Sequence, residues 1–373
     1  MTTAAPAQFA ESRSAMGPWL WGARTDIALF VGSAALALSL VIVGHATGLS
    51  EKALPEWGWV AFVLSVDVAH VWSTLYRTYL DGEEVRAHRL RYFGIPVLCY
   101  LAGVAVYTQG SLMFWRVLAY IALFHFVRQQ VGWVAVYRAR SGRRGALDRV
   151  IDDTAVYAST LYPVVYWHAH LSSSRFAWFV QGDFVNVSGY AAAVLPVVKV
   201  VWLVALAAFA VRQIVLWART RTLELGKSLV VATTAAIWYV GIVGTNSDFD
   251  FTVTNVIVHG VPYFALCWFY AKERSKDAPG SLGSQIVAGG VAAFLGVLVL
   301  CAFAEEMAWD KLVWHDRAWL FGSGVELRGL VLTLLVPLLA LPQATHYVLD
   351  GMLWRRGDTR RLPAQRRAMG FPG

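Results

Sequence analysis

Apolar residues in this chain come in blocks of about twenty, not in the alternation of a half-buried strand. A block of that length spans the hydrocarbon core of a bilayer when it is helical. Ten blocks are read, at 26–48, 57–80, 91–108, 112–137, 151–170, 189–217, 227–244, 251–271, 284–303 and 328–352. Transmembrane β-strands are about ten residues long and alternate in polarity, so these blocks are not barrel strands. In lipid a helix satisfies its own backbone, which leaves helices as the structure for such segments. The pattern predicts an all-α polytopic integral membrane bundle. Residues 18–354 form its one membrane domain, between a mobile tail at 1–17 and a basic tail at 355–373 that carries Arg355, Arg356, Arg360, Arg361, Arg366 and Arg367. No internal repeat stands out, and no cleaved leader is expected, because no charged stretch, short apolar core and cleavage site follow one another at the start.

Composition strengthens this picture. Only 15% of residues are charged and 57% are hydrophobic, whereas a soluble domain carries about a quarter charged residues. The net charge of +8 is no nucleic-acid footprint, since the basic residues fall in alternate loops. Arg86, Arg89 and Arg91 lie in one, Arg138, Arg140, Arg143, Arg144 and Arg149 in the next, then Arg219, Arg221 and Lys227, then Lys272, Arg274 and Lys276. The loops between them hold little positive charge. Cytoplasmic loops collect Lys and Arg, so both termini are expected in the cytoplasm. An inner (cytoplasmic) bacterial membrane is the expected location. Cys99, Cys267 and Cys301 sit in separate blocks and predict neither a disulfide framework nor a thiolate site. The stretch 304–327 has Trp309, Trp314 and Trp319 among charges and reads as an interfacial amphipathic helix.

Polar groups inside the blocks carry the candidate chemistry, because they are costly there. Block two has Asp67 and His70, and block four has His125, Arg128 and Gln129. Block eight has Asn255 and His259, and block ten has Gln343, His346 and Asp350. Each histidine has a polar residue three or four positions away, on its own helix face. All four blocks are even-numbered and run in one direction, which puts the histidines at similar depth. Imidazole is the commonest side-chain metal ligand, and its second nitrogen is normally held by a carboxylate, carbonyl or amide. His70, His125, His259 and His346 are therefore expected to ligate a metal. Gln129, Asn255 and Gln343 are expected to orient them, and Asp67, Arg128 and Asp350 to take part in the reaction. Arg128 is expected to pair with Asp67 or Asp350. Arg77 is expected to reach for the interface, Asp152 and Asp153 to favour a helix start, and His168 and His170 to be interfacial. Pro342 should bend the last block before His346, and Gly260 and Pro262 the eighth after His259.

Soft thiolates are absent from the set, which disfavours Cu(I) and Fe–S clusters. Glutamates are nearly missing from the blocks, which disfavours a carboxylate-bridged di-iron centre. One Fe(II) held mainly by histidines is the preferred cofactor. The order of these motifs resembles that of the Brp/Blh membrane carotene dioxygenases, which are polytopic and carry histidines in several spans. Their last histidine lies near the C-terminus in a segment that also holds an aspartate. The resemblance covers four short stretches, and it implies that the four histidines are iron ligands. Ala69 and Val71 stand here where that family has proline and glycine around its first histidine. The expected function is a metal-dependent oxidoreductase acting on a lipid or isoprenoid-like apolar substrate, with O₂ as co-substrate. The alternatives are a proton- or ion-coupled transporter, since buried Asp, His and Arg also build relays, and a b-type haem protein with axial histidine pairs.

Overall fold

In the computed structural model, residues 16–142, 145–354 and 363–371 are described. Ordered structure among them is helical, without a strand. Eight helices are long and apolar enough to cross a membrane: α1 (Ala23–Thr47), α2 (Glu56–Arg77), α3 (Arg89–Tyr107), α4 (Ser111–Arg140), α6 (Ser188–Thr220), α7 (Leu225–Gly244), α8 (Asp248–Asp277) and α9 (Gly290–Trp314). A ninth candidate is the pair α10 (Leu330–Leu339) and α11 (Leu341–Leu353), bent by 42°. The fifth expected block is the 24-residue helix α5 (Ala146–Ala169), which is not among the eight because Asp148, Arg149, Asp152 and Asp153 lower its hydropathy. A short helix α12 (Pro363–Ala368) follows. The first fifteen residues, Arg143, Arg144 and residues 355–362, including Arg355, Arg356, Arg360 and Arg361, lie outside the described residues.

Burial sorts the helices into a centre and a rim. In the most apolar stretch of α8, 72% of residues are buried, against 11% in α6 and 6% in α3. Helix α8 packs on α1, α2, α7 and α12, while α11 packs on α2, α3 and α4. The histidine-bearing α2, α4 and α8 are among the more buried helices, at 56%, 50% and 72%, together with α7 at 56%, and the fourth histidine lies on α11.

Two details of local backbone set the site. Helix α2 is π-helical over Trp59–Val68, α-helical over Ala69–Ser73 and 3₁₀ over Thr74–Arg77. The winding therefore tightens around His70, a change of pitch common at functional sites. Gly260 lets α8 approach α2 closely, since a Cβ there would lie 2.6 Å from Val66 Cγ1. It does this without ending the helix, which runs unbroken through His259, Gly260 and Pro262. In the last span the bend falls at Ala340, two residues before Pro342, which occupies the first turn of α11. Proline fits there because the N–H it lacks would have no partner in any case.

Several other expectations change. The 304–327 stretch is not an amphipathic helix. Helix α9 continues through Glu305 and Glu306 to Trp314, and only Ala318–Phe321 is helical after it. Arg77 does not reach for an interface. It is fully buried, with Glu84 at 3.1 Å and Gln365 at 2.9 Å and its guanidinium over the Tyr270 ring. Gln365 belongs to α12, whose Arg367 pairs with Glu273 and Asp277. This part of the basic tail is thus folded onto α8. Asp152 does more than start a helix, for it is buried with Lys227 at 3.0 Å and Arg138 at 3.5 Å. His168 is also buried, with Nε2 2.9 Å from the Tyr120 hydroxyl, whereas His170 is exposed.

Candidate metal centre

Neutral polar groups deep in an apolar bundle need partners, and the four histidines find one another. His70 Nε2 lies 3.1 Å from His259 Nε2, and His346 Nε2 lies 3.2 Å from His125 Nε2. Ring centroids run 4.6 Å from His70 to His259, 5.1 Å to His125, 4.7 Å to His346 and 5.1 Å back to His70. The four imidazoles, all buried, thus form a closed ring around one point. The metal-binding atoms of His70, His125 and His259 lie within 4.8 Å of one another, as do those of His125, His346 and Asp350. Two nitrogens at about 2.0–2.1 Å from one tetrahedral ion are roughly 3.4 Å apart. The two close nitrogen pairs are compatible with ligands of an ion, and the candidate ligand atoms fall into two groups of three that share His125.

With Nε2 turned inward, the outward Nδ1 atoms need acceptors. Thr74 Oγ1 is 2.7 Å from His346 Nδ1. Asp67 Oδ1 is 3.7 Å from His70 Nδ1, and Asp350 Oδ2 is 4.0 Å from His125 Nδ1. Both separations lie beyond hydrogen-bond range, and His70 Nδ1 makes no hydrogen bond. His259 Nδ1 has no partner, and its ring stacks on Phe126 at 3.5 Å between centroids and 5° between planes. Asp350 is itself held, because Oδ1 accepts from the Tyr263 hydroxyl at 2.5 Å and from Trp354 Nε1 at 2.7 Å. Tyr263 also contacts Thr74 Oγ1 at 3.1 Å, so one network joins Asp350, Tyr263, Thr74 and His346.

Other expected site residues stand elsewhere. Arg128 is exposed and donates to the Tyr157 hydroxyl at 2.5 Å, paired with neither Asp67 nor Asp350. It belongs to the exposed stripe of α4 that also holds Phe124, beside His125 and not pointing into the cluster. Gln129 Nε2 donates to the backbone carbonyl of His259, holding the helix that carries a histidine without touching an imidazole. Asn255 Nδ2 donates to Phe251 O on its own helix. Gln343 hydrogen-bonds none of the four imidazoles.

Sequence reasoning missed Thr74, Tyr263, Trp72 and Glu305. Thr74 is four residues after His70 and Tyr263 four after His259, so the one-turn rule that found the aspartates also points to them. Glu305 falls in the 304–327 stretch read as an interfacial amphipathic helix, outside the blocks. It accepts from Trp72 Nε1 at 2.7 Å, and with Asp67 it lies in electrostatic reach of Tyr347, whose ring centroid is 4.9 Å from that of His125. Carboxylates are therefore present beside the cluster, though Glu305 and Glu306 are not among the groups whose atoms converge on it.

Comparisons with protein-family models, with curated proteins and with solved structures find no match to this chain.

Proposed function

We propose that the chain is a membrane-embedded oxidoreductase whose His70, His125, His259 and His346 hold one metal ion, with Fe(II) preferred, and that it acts on an apolar, lipid- or isoprenoid-like substrate with O₂. The observation that carries this reading is the closed ring of four imidazoles with paired inward nitrogens at 3.1 and 3.2 Å. When bound, such an ion supplies one-electron chemistry and a site for O₂. The residues supply the rest. Thr74 holds the Nδ1 of His346, Asp67 and Asp350 stand near the Nδ1 atoms of His70 and His125, and Tyr263 and Trp354 hold Asp350. The chemistry stays within the class implied by the resemblance to the Brp/Blh dioxygenases, without a commitment to carotene.

The same geometry favours a bare ion over haem. Paired axial imidazoles need about 4 Å between their nitrogens, twice the metal–nitrogen distance, and a flat slot for the macrocycle. Here four rings crowd one centre. The bent last span favours the other reading, an ion-coupled carrier, because broken helices mark transporter binding sites. Metal analysis with an absorption spectrum on detergent-purified protein decides. Near one iron per chain without a Soret band is expected. A Soret band would assign haem, and protein free of metal after expression in iron-replete cells would favour the carrier.

A further inference from the structure

One cavity reaches the histidine cluster. It has a volume of about 260 Å³, and His346 and Thr74 form part of its wall. A sealed apolar cavity of about 150 Å³ is enough to hold benzene, so this one takes more than a single ring. Its walls repeat at helical spacing. Val71, Thr74 and Leu75 come from one face of α2 and Thr78 from just beyond its end, Leu338, Leu341, Pro342, Thr345 and Leu349 from the bent α10–α11 pair, with Pro96 of α3 closing the third side. Burial grades along it. Leu338 is 50% exposed on the outer face of the bundle, whereas Val71, His346 and Leu349 are 4%, 2% and 0% exposed. The cavity is therefore open at the rim and closed at the cluster. Other apolar side chains of the same helices, Leu98 of α3 at 66% and Leu334 of α10 at 44%, also face outward. A molecule in the cavity meets mainly apolar side chains, with Trp72, Thr74, Thr78, Tyr79, Thr345 and His346 as the hydrogen-bonding groups of the wall.

The geometry points to a binding site for a hydrocarbon chain, entered sideways between α2, α3 and the bent α10–α11 pair, whose inner end is brought against His346. Both arms of the pair bent by 42° at Ala340 line this space. Bound chains are either straight acyl groups or branched isoprenoids, and both present the apolar surface that these walls match. The inference rests on the proposed metal centre only for the meaning of the inner end. Occupation of the cavity itself is independent of any metal.

The test is photolabelling of the purified full-length protein in phosphatidylcholine nanodiscs with an n-alkyl diazirine, with adducts mapped by peptide mass spectrometry. Metal content is measured on the same samples. Adducts are expected on the buried Val71 and Leu349 as well as on the outward Leu98. Leu75→Trp, which fills the cavity, and Leu338→Trp, which narrows its mouth, should each reduce the buried adducts severalfold and leave Leu98 labelled. The second variant lies on an exposed face and guards against misfolding of the first. Palmityl alcohol and geranylgeraniol as competitors identify the source, the stronger one marking acyl or isoprenoid chains. Labelling of Leu98 without Val71 and Leu349, buried adducts that neither tryptophan reduces, or failure of both competitors would overturn the proposal. Metal-free protein with normal buried adducts would refute the metal centre and leave the cavity assignment standing. A metal-loaded protein without buried adducts would do the reverse.

Discussion

His346 and Asp350 are one helical turn apart, yet they do not serve each other. Side chains at i and i+4 lie side by side, whereas a ring nitrogen aimed outward from a cluster needs an acceptor on another helix. Thr74 of α2 fills that role for His346, and Asp350 faces His125 of α4 instead. The histidines could be chosen from the sequence because ionisable groups are expensive in apolar blocks. Their partners could not, because pairing across helices is not written in the spacing along one helix. Arg128 shows the converse, since its position in a block looked deep but it lies on an outward face with Tyr157. His346→Ala should abolish tight metal binding. Asp350→Asn turns an amide toward the Nδ1–H of His125 and should weaken metal binding or activity by roughly 10- to 100-fold, the usual effect of losing a group that orients a ligand. Thr74→Val should fall in the same range. Arg128→Gln should leave metal content unchanged. Metal per chain after dialysis against a graded chelator series measures all four, and equal loading in His346→Ala and wild type would end the assignment.

Between helices, the close approach of α2 and α8 brings His70 and His259 together, and Gly260 makes it possible. Gly260→Val would press on Val66, and overpacking of this kind costs about 1–3 kcal/mol. The expected outcome is a lower melting temperature together with weaker metal binding. Gly296→Val is the control, because nothing lies within 4 Å of a Cβ built there. A second device is the buried charge set of Asp152, Lys227, Glu224 and Arg138. Removing one partner of a buried pair typically costs 3–5 kcal/mol, so Lys227→Met should lower thermal stability in detergent far more than Arg328→Met, whose pair with Glu326 is exposed. A melting temperature unchanged by Lys227→Met would mean that water reaches this set. Helix positions were legible from block length, with edges shifted by a few residues. The errors at 304–327 and at the ends of α8 arose where charged residues extend a helix beyond its apolar stretch, a continuation that hydropathy cannot register.

For the molecule as a whole, the number of crossings is the question that hydropathy leaves open and contacts narrow. The two described ends of the chain touch, with Trp21 Nε1 donating to Ala368 O at 2.6 Å and a Cβ at Gly370 lying only 2.3 Å from Leu20 O. Segments in contact share one side of a bilayer, which requires an even number of crossings. Eight apolar helices and the bent pair make nine, so α5 must supply the tenth if every one of them crosses. Its charges argue against crossing only when taken alone. Asp148 pairs with Arg212 at 2.7 Å, Asp152 with Lys227, and Asp153 with Arg138 at 2.8 Å, so the helix carries its acids already neutralised by α4, α6 and α7. They also lie in its first two turns, which leaves the run from Thr154 to Trp167 uncharged. Reporter fusions at residue 145, before α5, and at residue 247, after α7, test this directly. Three crossings separate the two positions if α5 spans, and two if it does not. Opposite sides are expected, with residue 145 on the side of the termini, the side that the basic loops assign to the cytoplasm. The same side for both positions would remove α5 from the set of spans and break the agreement between the touching ends and the alternating charge.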